Sequence, residues 1–147
     1  MKIAIGCDPN AEAAKKELIS FIEKKGLGDV VDFGSDDTVY ANVAIKVAEA
    51  VATKRYDRGI LICGTGIGMS IAANKVKGAY AALLSDVYSA ERARLSNDAN
   101  IACMGAFTSG AKVREQMAEA FLINEFVKGC ASQKKVDAYV EYDEKRG

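Results

Sequence analysis

The chain of 147 residues contains no histidine and no tryptophan. Histidine is the commonest acid–base side chain in enzymes, so any proton transfer here must use Cys, Asp, Glu, Lys or Tyr. The four cysteines lie far apart in the sequence, and none belongs to a CxxC pair; they are Cys7, Cys63, Cys103 and Cys130. Without paired thiols or histidine ligands, the sequence favours neither a zinc site nor any other bound metal or cofactor.

The chain also lacks net charge and long apolar segments. Lys and Arg together number 20, as do Asp and Glu, and the two signs are mixed along the chain. This balance provides no basic surface for nucleic acid. No apolar run approaches the roughly 20 residues of a membrane span, and no secretory signal precedes the first strand-like segment. We therefore expect a cytoplasmic protein with reduced thiols.

Half of the residues are hydrophobic, and short runs that are apolar on both faces alternate with longer amphipathic stretches. Strands are predicted at Lys2–Cys7, Asp29–Phe33, Gly59–Cys63, Ala79–Leu84 and Asn100–Met104. Helices are predicted at Ala11–Lys25, Ala41–Lys54, Ile67–Val76, Val87–Ser96, Gly110–Val127 and Ala131–Lys145. This alternation predicts one α/β domain over residues 1–147, with a five-stranded parallel sheet covered by helices on both faces.

The expected strand order is the doubly wound order 2-1-3-4-5. In that order the direction of winding changes between strands one and three, and ligands bind at the carboxyl ends of those two strands. The residues that follow these strands are Asp8–Asn10 and Gly64–Gly68. The candidate site is therefore expected at this edge of the sheet.

The segment Cys63–Ser70 joins a buried strand to a helix and reads CGTGIGMS. Alternating glycines allow a tight turn whose backbone N–H groups converge on an anion, either a phosphate or a developing oxyanion. The motif is neither the dinucleotide fingerprint nor a P-loop. The alternative interpretation is a tight strand–helix turn in which glycine serves only packing.

Cys63 stands at the mouth of this loop. A cysteine near a helix N-terminus tends to ionise more easily, and a thiolate there could remove a proton from a carbon next to a carbonyl. The alternative is an inert core cysteine, as Cys7, Cys103 and Cys130 are expected to be. Asp8 either binds substrate hydroxyls across the crevice from Cys63 or caps the following helix, and the two roles are compatible.

A second polar segment, Ser96–Asn100, precedes the last strand. It is interpreted either as a polar turn or as a set of side-chain donors and acceptors near the same carboxyl edge. Taken alone, the pattern does not decide between the two interpretations.

The chain resembles the sugar-phosphate isomerase family that contains ribose-5-phosphate isomerase B and the two galactose-6-phosphate isomerase subunits. The resemblance covers nearly the whole chain and is most specific at Cys63–Gly78. It continues through Met1–Asp8, Asp32–Gly34, Ser89-Ala90, Arg94, Asn97–Asn100 and Met104-Gly105.

The resemblance implies a three-layer α/β/α, Rossmann-like fold and aldose–ketose isomerisation of a sugar phosphate without a metal. It also implies a homodimer or a dimer of dimers, with active sites completed across the interface. Cys63 would then be the catalytic base, with Thr65 assisting. The loop would hold the enediolate through Gly64, Gly66, Ile67 and Gly68, while Asp8 and Asn97 would contact substrate hydroxyls.

The chain departs from the family pattern where histidine and arginine are usual. Pro9 and Ser96 replace histidines, Phe107 replaces an arginine, and the usual Arg-His…Arg cluster reads ASQKK over 131–135. Only Lys135 keeps a charge there, and lysine binds phosphate as a point charge rather than as a fork. Ser96, Ser132 and Lys135 are therefore retained, with Asn97, as candidate substrate-binding residues.

The missing histidines suggest a substrate that needs no ring opening. A tetrose 4-phosphate cannot close a furanose through O4, because O4 carries the phosphate. The hypothesis is the pair erythrulose 4-phosphate and erythrose 4-phosphate, which also agrees with a resemblance to the tetrulose-phosphate branch of the family. The alternatives are a ribose 5-phosphate isomerase, a non-catalytic partner subunit of a hetero-oligomeric isomerase and, from the fold alone, a nucleotide-binding module.

Overall fold

The computed structural model describes all residues 1–147 and contains one parallel five-stranded sheet. Its strands are β1 (Lys2–Cys7), β2 (Asp29–Asp32), β3 (Arg58–Cys63), β4 (Ala81–Leu83) and β5 (Ile101–Gly105). After Lys2 and Arg58 at the starts of β1 and β3, the central strands β1, β3 and β5 consist of buried apolar residues and glycine, as strands covered on both faces must.

Six helices cover the sheet. They are α1 (Glu12–Lys24), α2 (Tyr40–Ala52), α3 (Ile67–Ala73), α4 (Val87–Leu95), α5 (Ala111–Ile123) and α6 (Gln133–Glu144). The apolar faces of α1, α4 and α5 pack on one side of the sheet, and those of α2 and α3 pack on the other. The predicted three-layer α/β/α fold is confirmed. None of these helices combines the length and the apolar character needed to cross a bilayer.

The order of the last two strands differs from the prediction. The sheet runs β2-β1-β3-β5-β4, not 2-1-3-4-5. Strand β5 is buried at all five of its residues and therefore needs a strand on each side, whereas β4 has two partly buried residues and one exposed residue and lies at the edge. The change of winding direction between β1 and β3 is unaffected, so the predicted place of the site remains.

Three helices, α3, α5 and α6, are shorter by three residues or more than the sequence pattern suggested. Helix α5 ends at Ile123 rather than Val127, because Asn124 takes an extended backbone conformation and its side chain donates to the carbonyl of Ala120. Helix α3 ends at Ala73 rather than Val76, and α6 begins two residues after the predicted position. None of these differences moves a residue of the candidate site out of its loop.

An ion pair between a buried lysine and a partly exposed aspartate fixes the loop beside the carboxyl end of β1. The side chain of Lys15 is 2% exposed, and its Nζ lies 2.8 Å from Oδ1 of Asp32. The same oxygen accepts the N–H of Gly34, whose carbonyl in turn accepts the N–H of Cys7. Partial burial raises the pKa of Asp32, but the bonds from Lys15 and Gly34 more than offset this, so the pKa lies below its ordinary value. The pair therefore anchors the backbone that leads into Asp8.

Candidate active site

Asp8 and Cys63 lie side by side at the carboxyl edge of the sheet. Strands β1 and β3 are paired with Cys7 opposite Ile62, and the N–H of Asp8 donates to the carbonyl of Ile62 at 3.3 Å. Neighbouring strands are about 4.8 Å apart. The structure thus brings together the two residues that the sequence placed on opposite sides of one crevice.

The sulfur of Cys63 is directed into the glycine loop. Its Sγ accepts the backbone N–H of Gly66 at 3.1 Å. The residue is 6% exposed, so only a small part of its surface is open to solvent. An amide directed at sulfur is a charge-assisted bond when the sulfur is a thiolate, and such bonds are the stronger kind. Cys63 is therefore held by the loop and is placed to act as a base.

Two other cysteines differ from Cys63 in their surroundings. Cys7 and Cys103 are completely buried, one in each of the two core clusters. Burial raises the pKa of the Cys7 thiol to about 11 and raises the pKa of Cys103 as well. The packing role predicted for both agrees with their burial.

Gly66 makes the sharp turn of the loop. Its φ is +82°, and a Cβ there would lie 2.8 Å from Cδ1 of Leu83 and 2.9 Å from the backbone carbon of Met104. After this turn, Oγ1 of Thr65 accepts the N–H of Ile67 at 3.2 Å. The close approach to two other strands explains why no side chain fits at Gly66.

Several amides of the loop remain available to a ligand. The backbone N–H groups of Gly64, Thr65, Gly68 and Met69 find no acceptor within the chain. They belong to the same turn as the sulfur of Cys63, which already accepts the amide of Gly66. Unpaired N–H donors in a strand–helix turn favour a developing oxyanion or a phosphate.

Replacing Gly66 by alanine should displace the loop. We expect a loss of about 1–3 kcal/mol in the free energy of unfolding, because the backbone conformation is strained for any other residue. We also expect a fall of about 100-fold in kcat/KM, since a displacement near 1 Å misplaces the donors. Urea unfolding and steady-state kinetics measure the two effects.

Gly68→Ala is the matched control for stability. A Cβ at Gly68 would meet only the ring end of Tyr40, a partly exposed side chain that is free to turn away, and φ there is not positive. Equal destabilisation by the two substitutions would contradict the special position of Gly66.

Asp8 serves the capping role that the sequence suggested. Its Oδ1 accepts the N–H of Ala11 at 3.1 Å, at the start of a 3-10 turn over Pro9–Ala11 that leads into α1. The side chain is only partly buried. One carboxylate oxygen is occupied by the cap and the other is free for a substrate hydroxyl, so the two roles remain compatible.

Ser96 and Asn97 lie at the opposite end of the strands from Cys63, where the amino ends of the strands meet. They belong to the turn that precedes β5, and the carbonyl of Asn100 in that turn accepts the N–H of Gly59 at the start of β3. The placement near the carboxyl edge was therefore wrong, because a residue directly before a parallel strand lies at its amino end. A strand of six residues spans about 20 Å, which separates this turn from Cys63 of the same chain.

Ser132 and Lys135, at the start of helix α6, are on the same side of the molecule as Ser96 and Asn97. The hydroxyl of Tyr139 donates to the carbonyl of Asn97, which fixes α6 beside the turn. Lys135 is exposed and lies one helical turn before Tyr139 on the same helix face. Ser132 immediately precedes the helix and makes no capping bond.

The predicted site residues thus form two groups within one chain. We call Asp8, Cys63 and Gly64–Gly68 the thiol half-site, and Ser96, Asn97, Ser132 and Lys135 the amide half-site. None of the cavities of the single chain is lined by Cys63 or by the glycine loop. The thiol half-site of one chain therefore lines no cavity, and its sulfur is largely covered.

The edge strand β4 connects the two half-sites. Leu83, at its carboxyl end, contacts the loop at Gly66. Ala81 and Ala82 line a cavity of about 270 Å³ together with Asn97 and Tyr139. Large apolar side chains are exposed on α3, β4 and the start of α4, namely Ile67, Ile71, Leu83, Val87 and Tyr88. An apolar surface of this kind is typical of a protein interface.

Several contacts of the site gave no signal in the sequence. The ring of Tyr40, at the start of α2, packs against Gly68, and the ring of Phe107 packs against Gly64. Nε of Arg92 donates to Oγ of Ser96 at 2.8 Å. Except for the last, which is an i, i+4 pair on α4, these contacts join residues distant in sequence that only the folded sheet brings together.

Comparison with known proteins places these observations in a family. The sequence model described as Ribose/Galactose Isomerase matches residues 3–139. "Ribose-5-P isomerase B" of Listeria innocua is 48% identical, over 99% of each chain. "D-erythrulose-4-phosphate isomerase" of Pectobacterium atrosepticum is 42% identical, over 99% of this chain and 98% of that protein. The solved structure of type B ribose 5-phosphate isomerase from Trypanosoma cruzi superposes with a TM-score of 0.93 at 37% identity, covering 99% of this chain and 100% of the other.

Proposed function

The chain belongs to the ribose/galactose isomerase family and is a sugar-phosphate aldose–ketose isomerase; we propose that its substrates are erythrulose 4-phosphate and erythrose 4-phosphate. The observation that carries the proposed chemistry is the sulfur of Cys63, held by the amide of Gly66 among loop amides without acceptors. The absence of histidine carries the choice of substrate.

Cys63 acts as the base in the proposed reaction. Its thiolate removes a proton from the carbon next to the substrate carbonyl, and the electron pair of that C–H bond forms the enediolate. The loop amides stabilise the negative oxygen. The thiol then returns the proton to the neighbouring carbon, and the hydroxyl proton passes from one oxygen to the other, so that the hydroxyl becomes the new carbonyl and the enediolate oxygen becomes the new hydroxyl. The exchange of aldehyde and ketone needs no external reductant or oxidant.

A second copy of the chain completes the proposed site. In a two-fold arrangement along the β4 edge, the amino end of one chain faces the carboxyl end of the other. The amide half-site of one copy then lies over the thiol half-site of its partner. The exposed apolar side chains around β4 support this arrangement. Asn97 would bind substrate hydroxyls, and Lys135 with Ser132 would bind the phosphate.

The residue available at the turn favours a substrate that is already open. Opening a furanose requires a group that transfers a proton at neutral pH, and histidine usually performs this step. The chain has no histidine, and the hydroxyl of Ser96 accepts a bond from Arg92. A tetrose 4-phosphate has no free O4 to form a furanose, so it needs the enediolate chemistry alone.

Ribose 5-phosphate is the second candidate substrate. The relative from Listeria innocua, which is 48% identical, bears the name ribose-5-P isomerase B, whereas the relative from Pectobacterium atrosepticum is named for D-erythrulose 4-phosphate. Both share the full length of this chain. Substrate length is therefore the property that an experiment must decide.

Purified chain should isomerise erythrulose 4-phosphate with a kcat/KM at least about tenfold higher than that for ribose 5-phosphate, because ring opening limits the pentose. Steady-state assays with both substrates measure the ratio. A clear preference for ribose 5-phosphate would exclude the tetrose phosphates as the substrates but would not change the assignment of the chain as an isomerase. Inactivity on both substrates, restored by a second subunit type, would identify a partner subunit instead.

A further inference from the structure

Arg94 is a buried arginine directly below the amide half-site. Its side chain is 3% exposed. Nη1 donates to Oδ1 of Asp98 at 2.9 Å and to the carbonyl of Ala99 at 2.6 Å. Nη2 donates to Oε2 of Glu125, and Nε donates to the carbonyl of Asn124, both at 3.3 Å. Most donors of the guanidinium are thus directed at one turn and at the segment after α5.

Asp98, the partner of Arg94, has an unusual backbone. Its φ is +50°, and only one other non-glycine residue of the chain has a positive φ. A conformation of this kind is strained and persists only where its surroundings enforce it. The bonds from Arg94 to the carboxylate of Asp98 and to the next carbonyl supply that constraint.

Asn97, the residue before Asp98, is held from both sides. On one side is the constrained backbone of Asp98, and on the other its own carbonyl accepts the hydroxyl of Tyr139. The residue is exposed, and no hydrogen bond within the chain involves its side-chain amide. A free amide on a fixed backbone is a preorganised contact for a ligand.

We propose that Arg94 is a positioning residue that acts through Asp98 to direct the side chain of Asn97 at substrate bound over Cys63 of a second copy. This inference rests on the proposed function, in which the amide half-site serves the partner's thiol. Arg94 itself touches no substrate, because it lies behind the turn.

A mixed dimer separates positioning from stability. In dimer one, a Cys63→Ala copy pairs with an Arg94→Met copy, and the intact Cys63 faces an intact turn. In dimer two, a wild-type copy pairs with a Cys63→Ala/Arg94→Met copy, and the intact Cys63 faces the altered turn. The two dimers contain the same two substitutions, so a loss of stability affects both. Two affinity tags purify each of them.

Dimer one should have the same kcat/KM as the wild-type/Cys63→Ala dimer. Dimer two should have a kcat/KM about 10- to 100-fold lower than dimer one, because a misplaced substrate contact slows the reaction by about this factor. Equal activity in both dimers would overturn the positioning role. Higher activity in dimer two would overturn the shared site itself, because each chain would then use its own turn. If Arg94→Met prevents folding, Arg94→Lys keeps the charge without the fork and gives the same comparison.

Arg58→Met is the matched control for the surrounding ion pairs. Nη2 of Arg58 binds the carboxylate of Glu125 at 3.0 and 3.1 Å, but Arg58 donates no hydrogen bond to Asp98. Arg58→Met disturbs the same group of ion pairs. When it replaces Arg94→Met in the two mixed dimers, their kcat/KM values should not differ. A difference as large as that of Arg94→Met would show that the cluster, rather than the bond to Asp98, sets the position of Asn97.

Discussion

Replacement of Cys63 by alanine should lower isomerisation by about 10²- to 10⁴-fold, the range that loss of a general base produces. The fold should persist, because the substitution removes a single sulfur at the carboxyl edge of the sheet. The loss should appear in kcat, since the thiolate contributes to proton transfer and not to phosphate binding. Incubation in heavy water, followed by NMR for deuterium at C1 or C2, measures the proton transfer directly.

Cys103→Ala is the control for this substitution. Cys103 lies on the same face of the sheet, in the same core cluster as Cys63, and it is completely buried. Its removal leaves a cavity of similar size but removes no residue of the thiol half-site. The variant should lose stability and keep exchange. Undiminished deuterium exchange in Cys63→Ala would place the base elsewhere, with Asp8 on the neighbouring strand end as the next candidate.

Mixing two inactive variants should restore activity. Cys63→Ala lacks the base, and Asn97→Ala lacks the contact that the second copy supplies. After random exchange of subunits, half of the dimers contain one copy of each, and each of these has one intact site. About a quarter of all sites should then be active, which follows from the two-fold symmetry of the assembly. Activity measured before and after mild unfolding and refolding of the mixture gives the result.

The pairing of Cys63→Ala with Asp8→Ala is the matched control. Both residues belong to the thiol half-site, so no mixed dimer regains a complete site, and activity should stay low after exchange. Recovery in this pair, or none in the pair with Asn97→Ala, would mean that the half-sites are not divided between two chains as proposed.

The sequence predicted the elements of the fold more reliably than their arrangement. Strands such as Gly59–Cys63 are apolar on both faces, and only a central parallel strand buries both. The order of β4 and β5 could not be read in this way, because both segments are apolar and the difference is the short length of β4. Packing on the neighbouring strands decides that order.

The glycine loop was predictable because its chemistry is local, since Cys63 and Gly66 are three residues apart. The prediction that the turn at Ser96 lies at the carboxyl ends of the strands was wrong. Its position directly before a parallel strand implies the amino ends. The hydrogen bond from Tyr139 to the carbonyl of Asn97 had no local signal in the sequence, because 42 residues separate the two. Contacts of that range depend on where α6 docks, which the sequence pattern leaves open.

The separation of the two half-sites at opposite ends of one sheet has a genetic consequence under the proposed function. A substitution at Asn97 lowers catalysis at the thiol of the neighbouring polypeptide and does not affect catalysis at the thiol of its own chain. Two alleles that each damage a different end would therefore compensate one another when expressed together. After gene duplication, one descendant could lose its thiol and the other its turn, and the pair would still be competent as an obligate heteromer.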